Sequence, residues 1–401
     1  MEKKIAIGIH SVVDWECKWD TGIFCKIAED YEIEDREITP VKNICSERDL
    51  VISILASMKQ GRGSELFPET NTLVENFAAK FSYNTTVGGT GARAAIAVSK
   101  LGYPSVLQMS SCNPVLQELL PDAIEAIAAN PNASGEIYPH VSITYPKGVH
   151  IKTKGLDFTT PRENRVLISC DPESFHMPVL ENFADYCRNA KIFLLSSFCE
   201  ILDFQILRDR MRKCRKMLGK MKPGTLVILE DACYPDQKLR QYVNDQLHPY
   251  LDIVSMNEDE LQDFVGKQFD ILDPEHVLAA LRETYEKMRV PTLFVHSSRW
   301  AVAYGKDHEK YISTLTSGIA MAAARFRYGD DYGKAEFEET LKIAPSEKGI
   351  RFAEELEAVS DRVSCVPCKN MEFVSAPTAV GLGDAFAGGL LIDLAEREFP
   401  L

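Results

Sequence analysis

The feature that most constrains how this chain can fold is a regular alternation of apolar runs and helical patterns after residue 190. The four runs are rich in Ile, Leu, Val and Phe, and they occupy residues 192–197, 225–231, 252–257 and 292–297. Continuous apolar runs of this kind are typical of parallel strands that are covered on both faces. Because such strands are joined through helices by right-handed crossovers, we predict an α/β fold with three layers, α/β/α, around a mostly parallel sheet.

The composition restricts the size and the class of the protein. A chain of 401 residues can bury one large α/β domain together with a smaller piece. The formal net charge of -14 argues against a nucleic-acid partner, and an anionic substrate would need a local cluster of Arg and Lys. Eleven cysteines without framework spacing indicate reduced thiols. The N-terminal apolar run is too short for a signal peptide and no window suits a membrane span, so we expect a cytoplasmic protein.

A second pattern, between residues 136 and 170, predicts a smaller β-rich part. Apolar and polar residues alternate there, as in half-buried antiparallel strands with one solvent-exposed face. The segment contains Arg162 and Arg165, two cations in an acidic protein, which could clamp phosphate groups. A solvent-exposed hairpin turn explains them equally well. Residues 15–45 lack a clear period and could belong to the same lid, whereas residues 115–129 are predicted to form a helix.

Near the C-terminal end, the sequence Gly381-Leu-Gly-Asp384 precedes an apolar helical segment. Glycines at such a turn let the backbone approach a ligand closely, and the unpaired N–H groups of a helix N-terminus favour an anion such as phosphate. A carboxylate beside an anion site needs a task, and we predict that Asp384 is a general base that accepts a hydroxyl proton. The simpler alternative is that Asp384 is the N-cap of the helix.

Polar residues follow the predicted strands at their carboxyl ends, where ligands bind in open α/β sheets. Asp14 follows the first predicted strand, and it could hold a substrate hydroxyl or lie in a solvated loop. Glu230 and Glu260 follow neighbouring strands and could hold Mg²⁺ largely through its water molecules. The segment Asn257-Glu-Asp-Glu260 is also a good helix N-terminus, because Asn is a favourable N-cap and acidic residues suit the first turn.

Two glycines, Gly88 and Gly89, begin a helix of small residues. The pattern Gly89-x-Gly91-x-x-Ala94 matches the dinucleotide-binding fingerprint in form, but the strand at residues 106–111 has no acidic residue at its end to hold a ribose. We therefore favour a glycine turn whose backbone lies close to a small polar ligand.

Together these motifs resemble the ribokinase-like (PfkB) sugar kinases, and within them the ADP-dependent glucokinase and phosphofructokinase branch. The superfamily resemblance lies in the Gly-Gly turn, in Asn257 with Glu260, and in Gly-x-Gly-Asp at 381–384. The branch resemblance lies in longer matches that are spread in order over nearly the whole chain: Ser57-Met-Lys-Gln-Gly61, Pro161-Arg-Glu-Asn-Arg165, Ser255-Met-Asn-Glu-Asp-Glu-Leu261, Val295-His296, Gly318 to Arg325 and Thr378-Ala-Val-Gly-Leu-Gly-Asp384.

The resemblance implies transfer of the terminal phosphoryl group of ADP to a hydroxyl of a sugar or sugar phosphate, of the glucose or fructose 6-phosphate class, with Mg²⁺ or another divalent cation. The implied site residues are, for catalysis, Asp384, Gly381, Gly383 and Arg165; for the sugar, Asp14, Gly88, Gly89 and Arg162; for the nucleotide, Asn257, His296, Val380 and Leu382; and for the metal, Glu230 and Glu260. The resemblance also implies a large nucleotide-binding domain, here residues 1–14, 46–135 and 171–401, and a small lid, here residues 15–45 and 136–170. We expect a monomer that binds a small-molecule sugar and a nucleotide.

One residue departs from the pattern of the branch. The branch carries His-x-Glu where this chain has Ile228-Leu-Glu230, so the carboxylates that would hold the metal lack an imidazole donor. This departure leaves two alternatives open. One is a kinase of the same fold that uses ATP or another small hydroxyl substrate, and the other is a catalytically weak protein that binds sugar or nucleotide.

Overall fold

The computed structural model describes residues 2–110, 113–129, 136–375, 377–378 and 380–397. Within these ranges the strands form a sheet of nine, a sheet of five and a two-stranded hairpin. In chain order the strands are β1 Ile5–Ile7, β2 Val12–Cys17, β3 Ser64–Leu66, β4 Tyr83–Gly88, β5 Ser105–Met109, β6 Ile124–Ala128, β7 His140–Tyr145, β8 His150–Lys152, β9 Asp157–Thr159, β10 Asn164–Ile168, β11 Ile192–Leu195, β12 Leu226–Glu230, β13 Ile253–Asn257, β14 Thr292–His296, β15 Trp300–Gly305 and β16 Val363–Pro367.

The nine-stranded sheet is mostly parallel and has the order β16-β15-β14-β13-β12-β11-β1-β5-β6. The strands from β14 to β6 in this order run parallel, and β15 and β16 add an antiparallel edge. The four apolar runs of the sequence are the neighbouring parallel strands β11, β12, β13 and β14. The predicted fold class is therefore confirmed.

The α-helices within the described ranges connect these strands. In chain order they are α1 Thr21–Asp30, α2 Glu47–Gln60, α3 Asn71–Ala78, α4 Thr90–Lys100, α5 Pro114–Leu119, α6 Pro172–His176, α7 Phe204–Leu218, α8 Gln237–Leu247, α9 Glu258–Val265, α10 Pro274–Met288, α11 Ile312–Tyr328, α12 Lys334–Leu341, α13 Glu347–Ala358 and α14 Leu382–Glu396. None of the helices in this part of the chain has the length and apolar character needed to cross a membrane.

Helices cover both faces of the nine-stranded sheet, as β12 illustrates. Val227 and Leu229 pack in one apolar core with residues of α7, α8 and α10. Leu226 and Ile228, which point to the other face, pack in a second core with residues of α4, α11 and α14. Because successive side chains of a strand point to opposite faces, a run that is apolar throughout needs a helix layer on each side, and three layers result.

The five-stranded sheet is smaller and has the order β3-β10-β7-β2-β4. Within residues 136–170, β7 pairs with β10 and β8 pairs with β9, and both pairs are antiparallel, as the alternating pattern predicts. The structure divides the chain differently from the predicted domain boundaries, however. Residues 46–88 belong with the smaller sheet, because β3 and β4 are two of its strands and α2 and α3 share one apolar core with β7 and β10.

The predicted helix over residues 115–129 is wrong in its second half. The helix α5 ends at Leu119, and residues 124–128 form β6, which pairs in parallel with β5 at the edge of the large sheet. Pro121 explains the break, since proline removes a backbone donor and disfavours helical geometry in the residue before it.

Candidate active site

A cavity of about 680 Å³ lies where the carboxyl ends of β12, β13 and β14 face the smaller sheet. Its walls include both the start of α14 and side chains of β2, β7 and β10. The predicted site residues line this one cavity except for Gly88 and Arg162. The fold thus brings together residues that are up to 370 positions apart, from Asp14 to Asp384.

The start of α14 forms one wall of the cavity and has the features of an anion site. Gly381 precedes the helix with a φ of 71°, and it makes no side-chain cap. The N–H groups of the first helical turn therefore have no partner within the helix. Asp384 is the third residue of α14 and Gly381 is its N-cap, so the alternative that Asp384 caps the helix is wrong.

Two arginine side chains lie close to Gly381. A Cβ atom added to Gly381 would lie 2.9 Å from Nη1 of Arg93 and 3.0 Å from Nε of Arg325. The Nε–H of Arg325 donates a hydrogen bond of 2.7 Å to the carbonyl oxygen of Val380. The left-handed φ favours glycine at this position, and a Cβ atom would in addition have to displace the two guanidinium groups.

The carboxylate of Asp384 lies in an environment that strengthens it as a base. Burial raises its pKa, and the charge of Glu230 adds to this rise, whereas the guanidinium groups of Arg93, Arg165 and Arg325 oppose it. The net direction is upward. A carboxylate with a raised pKa accepts a proton more readily near neutral pH, as a general base must.

Arg93, on α4, links Asp384 to the smaller sheet. Its Nη2 lies 2.7 Å from Oδ2 of Asp14 and 2.8 Å from Oε1 of Glu16, and its Nε lies 4.0 Å from Oδ2 of Asp384. Gly88 makes room for this arrangement, because a Cβ atom there would lie 2.2 Å from Oδ1 of Asp14. Gly88 therefore packs against the carboxylate of Asp14, and Gly89 is the glycine that lines the cavity.

Glu230 is the carboxylate whose surroundings best suit a metal ion. Its Oε2 is buried and has no hydrogen-bond partner among the described residues, and its Oε1 lies 3.4 Å from Nε2 of His296. His296 thus supplies an imidazole to Glu230 although Ile228 has replaced the histidine expected two residues earlier. Within the described ranges no group of three or more His, Cys, Asp and Glu residues could hold a metal ion.

Glu260 and Asn257 have the helix-capping role, one of the two alternatives that the sequence left open. They form a capping box at the start of α9, in which the Asn257 N–H donates to Oε2 of Glu260 at 2.7 Å and the Glu260 N–H donates to Oδ1 of Asn257 at 2.9 Å. Both residues also line the cavity. Burial, and next the charge of Glu230, raise the pKa of Glu260 well above its usual value, so a nearby cation would stabilise the pair.

The two arginines of the 161–165 segment differ in position. Arg165 lines the cavity, and its charge acts on Asp384. Arg162 instead donates from Nε to the carbonyl oxygen of Gly61. Arg162 therefore anchors a loop of the smaller sheet, and its predicted place in the substrate site is corrected.

Sequence reasoning missed several residues that line the cavity, among them His10, Glu65, Arg93, His140 and Glu200. His10 follows β1 at its carboxyl end, so the rule that pointed to Asp14 could have found it. Arg93 lies one turn into the helix that Gly89 caps. The positions of Glu65 and His140 depend on the pairing order of the smaller sheet, which no local pattern shows.

Comparison with protein families decides the class of the protein. The model of the "ADP-specific Phosphofructokinase/Glucokinase conserved region" matches residues 3–391. The chain belongs to this family. A comparison with curated protein sequences found no match.

Solved structures share the fold of this chain. A phosphofructokinase from Pyrococcus horikoshii OT3 with AMP superposes with a TM-score of 0.77 at 17% identity, and the match covers 98% of each chain. The last common ancestor of ADP-dependent phosphofructokinases from Methanosarcinales gives 0.73 at 17% identity, covering 100% of this chain and 95% of that one. An ADP-dependent kinase in complex with fructose-6-phosphate and ADPbetaS gives 0.75 at 16% identity, covering 98% and 94%.

Family membership settles the reaction class that the motifs predict. The protein is a kinase that phosphorylates a sugar hydroxyl, with ADP as the phosphoryl donor.

Proposed function

We propose that this protein is a Mg²⁺-dependent kinase that transfers the terminal phosphoryl group of ADP to a hydroxyl of an uncharged sugar, with Asp384 as the general base. The observation that carries the proposal is the position of Asp384. Its carboxylate has a raised pKa and lies in the first turn of α14, where unpaired N–H groups favour a phosphoryl group. A base and an anion site are thus adjacent in one cavity.

In this proposal the protein positions the reacting groups and stabilises the transferred charge. Asp384 accepts the proton of the attacking hydroxyl, and the N–H groups from Leu382 to Asp384 hold the oxygens of the transferred phosphoryl group. Arg165, which reaches the cavity from β10, adds a positive charge on the side of the smaller sheet. Asn257, His296, Val380 and Leu382 line the cavity near the strand ends and are proposed to contact the nucleotide.

A divalent cation fits the residues present. Glu230 offers a buried oxygen without a partner in the described part of the chain, and Glu260 offers a carboxylate that burial has made hard to ionise. Two carboxylates with few direct ligands suit Mg²⁺, which keeps several of its waters and binds phosphate oxygens as well. When bound, the ion would neutralise charge on the phosphate groups while the terminal phosphoryl group is transferred.

The charge balance of the cavity favours an uncharged acceptor. Eight of the described residues that line it carry a carboxyl group, namely Asp14, Glu65, Glu163, Glu200, Glu230, Asp231, Glu260 and Asp384, and of these Asp231 is paired with Arg240. The described cations that line it are Arg93, His140 and Arg165. Arg93 is already paired with Asp14 and Glu16, and His140, whose pKa the hydrogen bond and charge of Asp171 raise to about 9, is paired with Asp171. With Arg165 needed for the phosphates of ADP, a phosphate on the sugar would meet repulsion that a free sugar avoids.

A coupled assay that crosses ADP and ATP with D-glucose, D-fructose 6-phosphate and D-ribose tests the donor and the acceptor. We expect turnover with ADP and Mg²⁺, and D-glucose to be preferred over D-fructose 6-phosphate. Turnover with ATP and none with ADP would refute the donor, and a preference for the sugar phosphate would refute the acceptor.

Asp384→Asn tests the base. We expect kcat to fall by about 10²–10⁴, because a positioned general base contributes that much. Asp393→Asn is the matched control, since Asp393 lies on the same helix and bonds to Thr314 and Arg397 away from the cavity. Unchanged turnover in Asp384→Asn would remove Asp384 as the base.

A further inference from the structure

A buried hydrogen-bond network lies behind the side of the cavity that Gly89 lines. It joins His10, Asp171, Ser174 and His140, of which His10 and His140 line the cavity. His10 is 3% exposed, Ser174 1% and Asp171 4%. Groups this deeply buried need defined donors and acceptors, so the position of each proton can be worked out from its neighbours.

The network starts at Asp171, whose two oxygens only accept hydrogen bonds. Its Oδ1 accepts from the backbone N–H groups of Glu173 at 2.8 Å and Ser174 at 3.2 Å. Its Oδ2 lies 2.6 Å from Oγ of Ser174 and 3.2 Å from Nε2 of His140. Although burial raises the pKa of Asp171, these hydrogen bonds and the charge of His140 lower it overall, so Asp171 is a carboxylate.

The hydroxyl group of Ser174 therefore donates its hydrogen bond to Asp171. At 2.6 Å from a carboxylate oxygen, the hydroxyl must donate, because two lone pairs at that distance would repel. Its oxygen is then left as an acceptor for Nε2 of His10, which lies 2.8 Å away. His10 must carry its proton on Nε2.

The second nitrogen of His10 then has a lone pair and no proton. Burial, together with the charge of His140, lowers the pKa of His10 to about 3, so the ring is neutral at neutral pH. His140 is the charged member of the pair: burial lowers its pKa, but the hydrogen bond and the charge of Asp171 outweigh burial and raise it to about 9.

Nδ1 of His10 lies beside Gly89, and both residues line the cavity. A Cβ atom added to Gly89 would lie 3.2 Å from this nitrogen, and a hydrogen-bond partner for it is absent among the described residues. Gly89, with a φ of 88°, leaves the space beside the nitrogen open.

We propose that His10 recognises the acceptor sugar by accepting a hydrogen bond at Nδ1 from one of its hydroxyl groups, and that Ser174 and Asp171 are positioning residues that hold His10 in the required tautomer. The inference rests on the proposed function, because it assigns the acceptor side of the same cavity. It also adds a constraint, since a carbonyl or phosphate oxygen at this point would meet a lone pair. The site selects a hydroxyl there.

Histidine ¹⁵N NMR of the full-length protein at pH 7 tests the tautomer without any turnover. We expect the His10 ring, assigned by its loss in His10→Asn, to show a proton on Nε2 and none on Nδ1, and the Nδ1 signal to shift when D-glucose is added. In Ser174→Ala the ring should become a mixture of tautomers. A proton on Nδ1 in the wild type, or an imidazolium, would overturn the inference.

Kinetics with the monodeoxy analogues of D-glucose test the hydrogen bond. We expect one analogue to lose about 10- to 100-fold in kcat/KM with the wild type, because a buried acceptor is left without its donor. That selective loss should disappear in His10→Ala and persist in His10→Asn, whose Oδ1 can accept at the position of Nδ1. Ser174→Ala should raise KM for D-glucose while kcat changes little.

The outcomes separate the inference from the proposed function. If D-glucose is phosphorylated but every analogue is discriminated equally by the wild type and His10→Ala, the inference alone is overturned. If none of the tested sugars binds or is phosphorylated, both are overturned. The NMR measurement on the wild type, with and without D-glucose, keeps the inference testable if the alanine variant does not fold.

Discussion

Replacing Arg93 tests how the cavity sets the strength of its base. Arg93→Met keeps most of the apolar length of the side chain and removes its charge. The lost partner of Asp384 is a unit charge 4.0 Å away. At an effective dielectric constant of about 20 that interaction is worth about 4 kcal/mol. Since about 1.4 kcal/mol corresponds to one pKa unit, the upper limit of the shift is about 3 units.

The sign of the effect follows from the charge. Arg93 lowers the pKa of Asp384, so its removal raises that pKa further, and the carboxylate is protonated over a wider pH range. The side chain of Asp384 is 20% exposed at the cavity, so solvent screens the interaction further and we expect a shift of about 1–2 units. The acidic limb of the kcat/KM profile should move to higher pH by this amount, with activity recovering as the pH rises.

The assay is a pH series with ADP, Mg²⁺ and D-glucose, with Arg93→Lys as the control that keeps the charge. The lysine variant should keep its acidic limb near that of the wild type. Thermal unfolding must be measured for both variants, because Asp14 and Glu16 lose a buried partner in Arg93→Met. An acidic limb that stays in place in folded Arg93→Met would refute the argument that Arg93 tunes Asp384.

Two further predictions concern the anion turn and the strand below Glu230. Gly381→Ala should lower kcat at least about 10-fold and the free energy of unfolding by about 1–3 kcal/mol, because φ is 71° and a Cβ atom would lie 2.9 Å from Arg93. Initial rates and urea unfolding measure the two effects, and a fully active variant would contradict the geometry. Ile228→His should lower the free energy of unfolding by about 1–3 kcal/mol, because Ile228 is 1% exposed in an apolar core. It should leave kcat at saturating Mg²⁺ nearly unchanged, since Glu230 already faces His296. Ile228→Val is the control, and a large gain in kcat in Ile228→His would show that the missing imidazole limits catalysis.

Much of the large sheet was predictable because its central strands are continuous apolar runs in the sequence. A strand such as β12 is apolar on both faces, and a parallel sheet under two helix layers is the arrangement that buries it. The same rule placed Glu230, Asn257 and His296 at one edge, because the carboxyl ends of parallel strands meet there.

The smaller sheet was less predictable for a physical reason. Its strand β3 has three residues, and α2 and α3 have apolar faces that would suit either part of the protein. Which core they join depends on contacts between distant segments. The contact between Glu230 and His296, 66 residues apart, and the network around His10 depend on such pairing as well.

The chain passes between the two sheets four times: from β1 to β2, from β4 to α4, from β6 to β7 and from β10 to α6. The smaller sheet is therefore attached by four backbone connections, and a single proteolytic cut would leave three of them intact. Residues close to a pivot are displaced least when a body rotates. His10, Gly89, His140 and Asp171 all lie at these crossings. His10 and the residues around it would therefore keep their spacing if the smaller sheet rotated, while Arg165 on β10 would move with that sheet.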